Sequence, residues 1–290
     1  MNPIFLKIGN FQIGYYGLCY AISFFLGVEL AKYYGEQKGL NKKQVEDYAF
    51  VAMLSGLLGG RLYYVLFNYS YYFSHPEDIL AVWKGGMAIH GGIIGGIIGT
   101  LIYAKIKKIN FFLLGDIAAA PLILGQAIGR LGNLANGEVH GVPTFTPLNI
   151  IFSFKTRFYE WYSYYNTLPL SEKNNYKELV PWGLVFPKDS PAGSEFPNLA
   201  LHPAMLYESL LNFLGFLFIW FYLRKKNYPS GVIMFSYIII YSVIRILVSF
   251  FRAEDLMIYG VRAPHAISVI LIIFSVVGIV ILNKKSKKIS

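Results

Sequence analysis

Charge is what this sequence has least of. Of its 290 residues, 14% are Asp, Glu, Lys or Arg, against roughly 25% in ordinary globular domains. Hydrophobic residues make up 55% and aromatics 17%. A water-soluble protein this poor in charge would have no wet surface, and the chain is too apolar to be disordered. Cysteine is reduced to one, Cys19, which excludes a disulfide scaffold and any Cys-rich metal site. His75, His140 and His265 fall at no metal-ligand spacing. The H-E-x-x-H, G-x-S-x-G and Walker motifs are missing, so no metal and no cofactor is expected. The net charge of +10 comes with no nucleic-acid-binding motif, and no nucleic-acid partner is expected.

What is present is a series of long apolar runs. A helix needs about 20 apolar residues to cross a bilayer core of about 30 Å. Seven stretches meet this, near Tyr15–Tyr34, Glu46–Phe67, Met87–Ala104, Phe112–Asn133, Pro203–Leu223, Gly231–Phe251 and Ala266–Leu282. Backbone polar groups find no water in hydrocarbon, so each run is read as a helix. Period-2 barrel strands are absent. The first run lacks a basic leader and a small-x-small cleavage site, so it reads as a retained span. The expectation is an all-α integral membrane protein, a single polytopic domain over residues 1–290.

Lys and Arg orient the spans. Lys32, Lys38, Lys42, Lys43, Lys105, Lys107, Lys108, Arg224, Lys225, Lys226, Lys284, Lys285, Lys287 and Lys288 fall on one side. The opposite short segments hold only Lys7, Lys84, Arg252 and Arg262. The richer side is read as cytoplasmic. That puts the N-terminus outside, the C-terminus inside, and the long segment 137–201 on the outer face. This segment carries seven prolines and the Tyr/Trp-rich run Phe158–Tyr165, which suits the membrane interface. At this length it reads as a functional cap. No internal repeat of the transporter kind is visible.

Ionisable groups inside spans are costly and mark function. Arg61, His90, Arg130 with Asn133, Glu208 and Arg245 all fall, on this topology, in the outer third of the bilayer, and Tyr16 joins them. Three arginines outweigh Glu208, with Glu138 just beyond, so a pocket there would be electropositive. Arginine keeps its proton and requires an anion. The anion at that depth is an outer-leaflet phospholipid phosphate, which guanidinium forks match. Tyr241, Arg245, Ser249 and Arg252 share one helix face, as do Arg130, Asn133 and Gly137. Arg61 and Arg252 are also compatible with snorkelling to headgroups, His90 with an interhelical hydrogen bond, and Tyr16 with an interface anchor. Gly91, Gly95 and Gly99, a second stripe of Gly92 and Gly96, and Gly56 with Gly60 read as helix-packing surfaces. Asp116 reads as a polar start to span four. Glu29 has no reading, and Cys19 reads as a small packing residue.

Gly125–Gly141 reads GQAIGRLGNLANGEVHG. It closely resembles the signature G-R-x-G-N-x-x-N-G-E-x-x-G of the prolipoprotein diacylglyceryl transferases. Tyr15-Tyr16-Gly17, Gly59-Gly60-Arg61-Leu62, His90-Gly91-Gly92, and His202-Pro203 with Leu206-Tyr207-Glu208 resemble further motifs of that family, in order along nearly the whole chain. The resemblance implies a seven-span enzyme of the bacterial plasma (inner) membrane. Such enzymes move the diacylglyceryl group of phosphatidylglycerol onto the lipobox cysteine of a prolipoprotein, form a thioether and release glycerol 1-phosphate. Two positions depart from the pattern. Ser249 stands where a Glu is common, with Glu254 as a candidate substitute, and Ala204-Met205 replaces a common Ser-Gln pair.

That chemistry assigns expected roles. Fixed cations for the leaving phosphate would be Arg130 and Arg245. The thiol must become thiolate, and neutral His90 could take its proton, unless the positive pocket lowers the thiol pKa unaided and leaves His90 to orient. Asn133, Glu138 and Tyr16 would hold the glycerol hydroxyls and esters, with Gly141, Tyr241 and Arg61 also counted as substrate-binding. The nucleophile arrives on the peptide, so Cys19 is dispensable.

Overall fold

The computed structural model describes residues 4–8, 11–154, 157–253, 256–258 and 260–287. Glu254 and Lys288, both invoked above, lie outside the described residues. The chain opens on a hairpin of β1 (Ile4–Ile8) and β2 (Phe11–Gly14), antiparallel with Leu6 opposite Ile13. Then come α1 (Tyr15–Gln37), α2 (Lys42–Phe67), the short α3 (Tyr69–Ser74), α4 (Ile89–Lys107) and α5 (Phe111–Asn136). Four short helices follow, α6 (Leu148–Ile151), α7 (Phe158–Thr167), α8 (Leu170–Lys173) and α9 (Pro191–Glu195). The chain closes with α10 (Ala204–Phe221), α11 (Val232–Ser249), the two-residue strands β3 (Met257–Ile258) and β4 (Val261–Arg262), and α12 (Ala263–Lys287).

Among the described residues, six helical stretches are long and apolar enough to cross a membrane: Lys42–Phe67, Ile89–Lys107, Phe111–Asn136, Ala204–Lys225, Val232–Ser249 and Ala263–Lys287. They coincide with the second to seventh runs read from the sequence. The first run is also a helix, α1, of 23 residues, but it is not among the six. Its second half carries Glu29, Lys32 and Glu36. Glu29, which had no reading, pairs with Lys32 at 2.5 Å, and Lys32 also reaches Glu46 at 3.3 Å. The N-terminal hairpin was not foreseen, because strands of five and four residues do not stand out against so apolar a background.

The chain divides into two compact units, Val28–Ala118 and Met1–Gly27 with Ala119–Ser290. In the first, α2 and α4 pack through glycine. A Cβ on Gly59 would collide with the Gly91 carbonyl oxygen and stand 2.8 Å from Gly95 Cα. One on Gly95 would strike the Ser55 carbonyl oxygen and stand 3.0 Å from Gly59 Cα. The obstacles are backbone atoms, which cannot rotate aside. The stripe of Gly91, Gly95 and Gly99 is therefore a close-approach surface, and Gly59, quoted only within its motif, is the residue it meets. Gly95→Leu is expected to cost about 3 kcal/mol or more through overpacking. Thermal unfolding in detergent checks this, with Gly17→Ala as the control, since nothing lies within 4 Å of a Cβ there.

The connection between α2 and α4 is built around Arg61, which is 2% exposed. Its Nε donates to Ile79 O at 2.9 Å, Nη2 to Asp78 O at 2.6 Å, and Nη1 to Gly86 O at 2.8 Å and to Gly85 O. The guanidinium carbon lies 5.2 Å from the centre of the Tyr72 ring. Gly85 and Gly86 have φ of +80° and +77°, the left-handed region that glycine adopts without a Cβ clash. That turn brings both carbonyls onto one guanidinium. The Asp78 carboxylate takes Lys84 Nζ at 2.6 Å and Tyr71 OH at 2.9 Å, and these hydrogen bonds hold it below the usual carboxylate range.

In the second unit, the start of α1 lies against the end of α5. A Cβ on Gly132 would stand 2.8 Å from Tyr16 Cδ2. Gly215 of α10 sits against Ile123 of α5 and Ile240 of α11. Phe235 of α11 meets Phe274 and Gly278 of α12. The segment 137–201 folds on its own apolar core of Val142, Ile151, Phe158, Phe186, Phe196 and Leu201, joined by Met205 and Phe250. The Tyr/Trp-rich run is α7, whose rings face Phe145, Tyr176 and Phe196.

Candidate active site

The site in the second unit is assembled where α5 ends. Arg130 and Asn133, three residues apart, share one side of α5, while Gly137, expected on the same face, lies just past the end of the helix. Arg130 Nη2 bonds Glu208 Oε1 of α10 at 2.7 Å, with the Glu208 side chain fully buried and that of Arg130 23% exposed. Arg130 Nη1 donates to Asn133 Oδ1 at 3.0 Å. Asn133 Nδ2 donates to Glu138 Oε2 at 3.2 Å, and Asn136 Nδ2 lies 3.4 Å from Glu138 Oε1. The result is a continuous polar chain from Glu208 through Arg130 and Asn133 to Glu138.

Glu138 folds back because α5 stops on a glycine cap. Gly137 has φ +66°, and the Glu138 N–H bonds Asn133 O at 2.9 Å, as a left-handed residue after a helix permits. Three residues on, Gly141 N–H donates to His202 O at 2.9 Å, and Val142 N–H donates to Phe251 O at 2.9 Å. Gly141 also forms an antiparallel bridge with Arg252. A Cβ at Gly141 would stand 2.7 Å from Phe251 O. Gly141 thus lets two segments close on the turn that bears Glu138.

Electrostatic interactions tie further groups to this chain. The Tyr241 hydroxyl interacts with Glu208, Arg245, Arg130 and Arg252. Tyr16 interacts with Glu138 and Arg130, and its hydroxyl lies 3.0 Å from that of Tyr20. Tyr16, Arg130, Asn133, Glu138, Tyr241 and Arg245 are therefore brought together. Arg252, read as a candidate snorkelling residue, belongs with them. Ser249 is fully buried and its carbonyl accepts from Arg262, so a backbone group receives a cation at the position where a Glu is common.

His90 and Arg61 belong to the other unit. His90 is exposed in the first turn of α4, its ring 6.3 Å from that of Tyr63. Arg61 spends its donors on four loop carbonyls, as described above. Arg130 differs. A guanidinium has five N–H groups, and Arg130 uses two of them among the described residues. It is a fixed cation with donors to spare.

Two residues of the site region carried no assigned role in the sequence reading. Glu208, read there as the lone carboxylate of the intramembrane cluster and part of a family motif, is the counter-ion of Arg130. His202 Nδ1 meets Tyr207 OH at 3.1 Å, and that hydroxyl receives Trp182 Nε1–H at 2.8 Å. Burial pushes His202 down to about 4, so it stays neutral and anchors the start of α10.

The model of the family described as prolipoprotein diacylglyceryl transferase matches residues 3–281. The chain is 64% identical over 290 residues, all of both chains, to a protein of Fusobacterium nucleatum subsp. nucleatum named phosphatidylglycerol–prolipoprotein diacylglyceryl transferase. A protein of the same name from Clostridium botulinum (strain Loch Maree / Type A3) is 34% identical over 288 residues, covering 99% of this chain and 100% of that one. Another from Geobacter sulfurreducens is 32% identical over 274 residues, covering 93% and 90%. The chain belongs to the prolipoprotein diacylglyceryl transferase family.

Proposed function

We propose that this chain transfers the diacylglyceryl group of phosphatidylglycerol to the lipobox cysteine thiol of a prolipoprotein. On this reading α1 spans the membrane with the other six long helices. The protein sits in a bacterial plasma (inner) membrane with its N-terminus outside, its C-terminus cytoplasmic and its site facing the outer leaflet. The Lys and Arg asymmetry supports that orientation. The half-used guanidinium of Arg130, pinned by buried Glu208, carries the proposal.

The reaction forms one S–C bond and breaks one C–O bond at the glycerol carbon that bears the phosphate. The electron pair of the broken bond leaves on the phosphate oxygen as glycerol 1-phosphate. Negative charge grows there, and preorganised cations stabilise it with no reorganisation at the moment of reaction. Arg130 and Arg245 fill that role. Asn133, Glu138, Tyr16 and Tyr241 present hydroxyl, amide and carboxylate groups to the headgroup glycerol and the esters, which aligns the carbon for in-line attack. Gly141 shapes the turn behind Glu138, and Arg61 acts through the loop it holds. The thiol proton goes to His90.

Solubilised protein with phosphatidylglycerol and a lipobox peptide is expected to yield a lipidated thiol and one glycerol phosphate per turnover. Phosphatidylcholine in place of the substrate lipid serves as the control. Lipid movement without bond breakage would favour a carrier. His90→Gln is expected to lower turnover and to remove its dependence on pH between about 6 and 8, the imidazole range. Unchanged turnover across that range would exclude His90 as the base.

A further inference from the structure

The turn that carries Glu138 is conformationally costly. Gly137 and Val139, on either side of Glu138, both have positive φ, +66° and +60°. For β-branched Val139 this is a strained backbone, of order 1–3 kcal/mol, and it persists only where surroundings enforce it. The enforcement comes from α9, at two points that flank Glu138. Ala192 N–H donates to Gly137 O at 3.0 Å. Glu195 Oε2 lies 3.1 Å from His140 Nε2.

The Glu195–His140 contact is a built one. His140 is buried, and its ring meets Phe196 edge-on at 5.5 Å. A carboxylate only accepts, so Nε2 carries the proton. The other carboxylate oxygen of Glu195 takes Tyr159 OH of α7 at 2.7 Å, and Tyr162 interacts with Glu195 electrostatically. Burial raises Glu195, but the hydrogen bonds from His140 and Tyr159 outweigh it and keep the carboxyl below its usual range. It is therefore an ionised acceptor at neutral pH.

We propose that Glu195, acting through His140, is a positioning residue for the Gly137–Gly141 turn, and sets how tightly Glu138 holds the lipid headgroup. Neither residue touches the reacting atoms. This rests on the reading above in which Glu138 binds the headgroup.

Phosphatidylglycerol affinity and the steady-state constants of the full-length protein test it. His140→Phe keeps the ring on Phe196 and removes both nitrogens. It is expected to raise KM and the lipid Kd about tenfold, the scale of one charge-assisted hydrogen bond, with kcat within about twofold. His140→Gln, which can donate to Glu195, is expected to restore most of the loss. So is adding Val139→Gly to His140→Phe, because glycine removes the strain the contact opposes. Glu195→Gln covers the case in which His140→Phe does not fold. Unchanged KM and Kd in a folded variant, or equal losses in the Phe and Gln variants, would overturn the proposal. A wild-type protein that binds the lipid but forms no thioether would overturn the activity, while the Kd series would still decide the positioning role.

Discussion

Arg130→Ala is expected to lower thioether formation by about a hundred- to a thousandfold, the range for removing one preorganised donor to a developing anion. It also leaves Glu208 buried and uncompensated, a loss of about 3–5 kcal/mol when one partner of a buried pair is removed. The two consequences separate in the double variant Arg130→Met, Glu208→Met. Apolar residues of similar volume replace a buried pair at little cost, so stability is expected to return while turnover does not. Arg130→Lys is expected to fall between, because an ammonium keeps the charge but lacks the planar fork that bonds Glu208 and Asn133 together. Turnover and thermal unfolding measured on these variants check the prediction. A double variant with near-normal turnover would remove Arg130 from the chemistry.

Arg61→Leu is expected to fail differently. Four carbonyls, those of Asp78, Ile79, Gly85 and Gly86, would lose their donor. Each buried unsatisfied group costs about 1–3 kcal/mol. The loop between α2 and α4 is expected to open, seen as fast amide exchange and proteolytic cleavage over residues 78–88. Arg61→Lys, with three donors, is expected to retain part of the loop. Its KM for phosphatidylglycerol should stay within about twofold once folded protein is counted, because four of the five N–H groups of Arg61 are committed to loop carbonyls, against two of five in Arg130. An intact loop with a KM raised as far as in Arg130→Lys would restore Arg61 to the headgroup.

The contrast between these arginines shows where sequence reading reaches and where it stops. Apolar run length located the six helices long and apolar enough to cross a membrane, and the helix of the first run, since hydropathy acts over a window. Helical spacing placed Arg130 with Asn133, and the glycines of α4 on one stripe, because both lie within single helices. What spacing within a helix leaves open is which helices meet. Arg130 and Glu208 are 78 positions apart, and no local pattern announces their ion pair. Arg61 and Arg130 are alike as letters. They differ because Gly85 and Gly86 turn a loop onto one of them, and loop geometry has no period. The run Phe158–Tyr165 has the composition of an interface belt, and in α7 Phe158, Trp161, Tyr162 and Tyr165 pack on Phe145, Tyr176 and Phe196 while Tyr159 and Tyr164 stay exposed. Composition does not distinguish lipid from other rings as the partner of an aromatic face. Ser249 marks the same boundary. Its side chain suggested a missing acid, whereas its backbone carbonyl receives Arg262.

Phosphatidylglycerol labelled with ¹⁸O at the oxygen bridging the diacylglycerol carbon to phosphorus follows the bond that breaks. If the cations around Arg130 stabilise a phosphate leaving from carbon, the label departs with glycerol phosphate and the peptide sulfur is bonded to unlabelled diacylglyceryl. Label retained on a diacylglycerol product would mean that phosphorus was attacked, and that a site built to receive a phosphate leaving group is the wrong description of this protein.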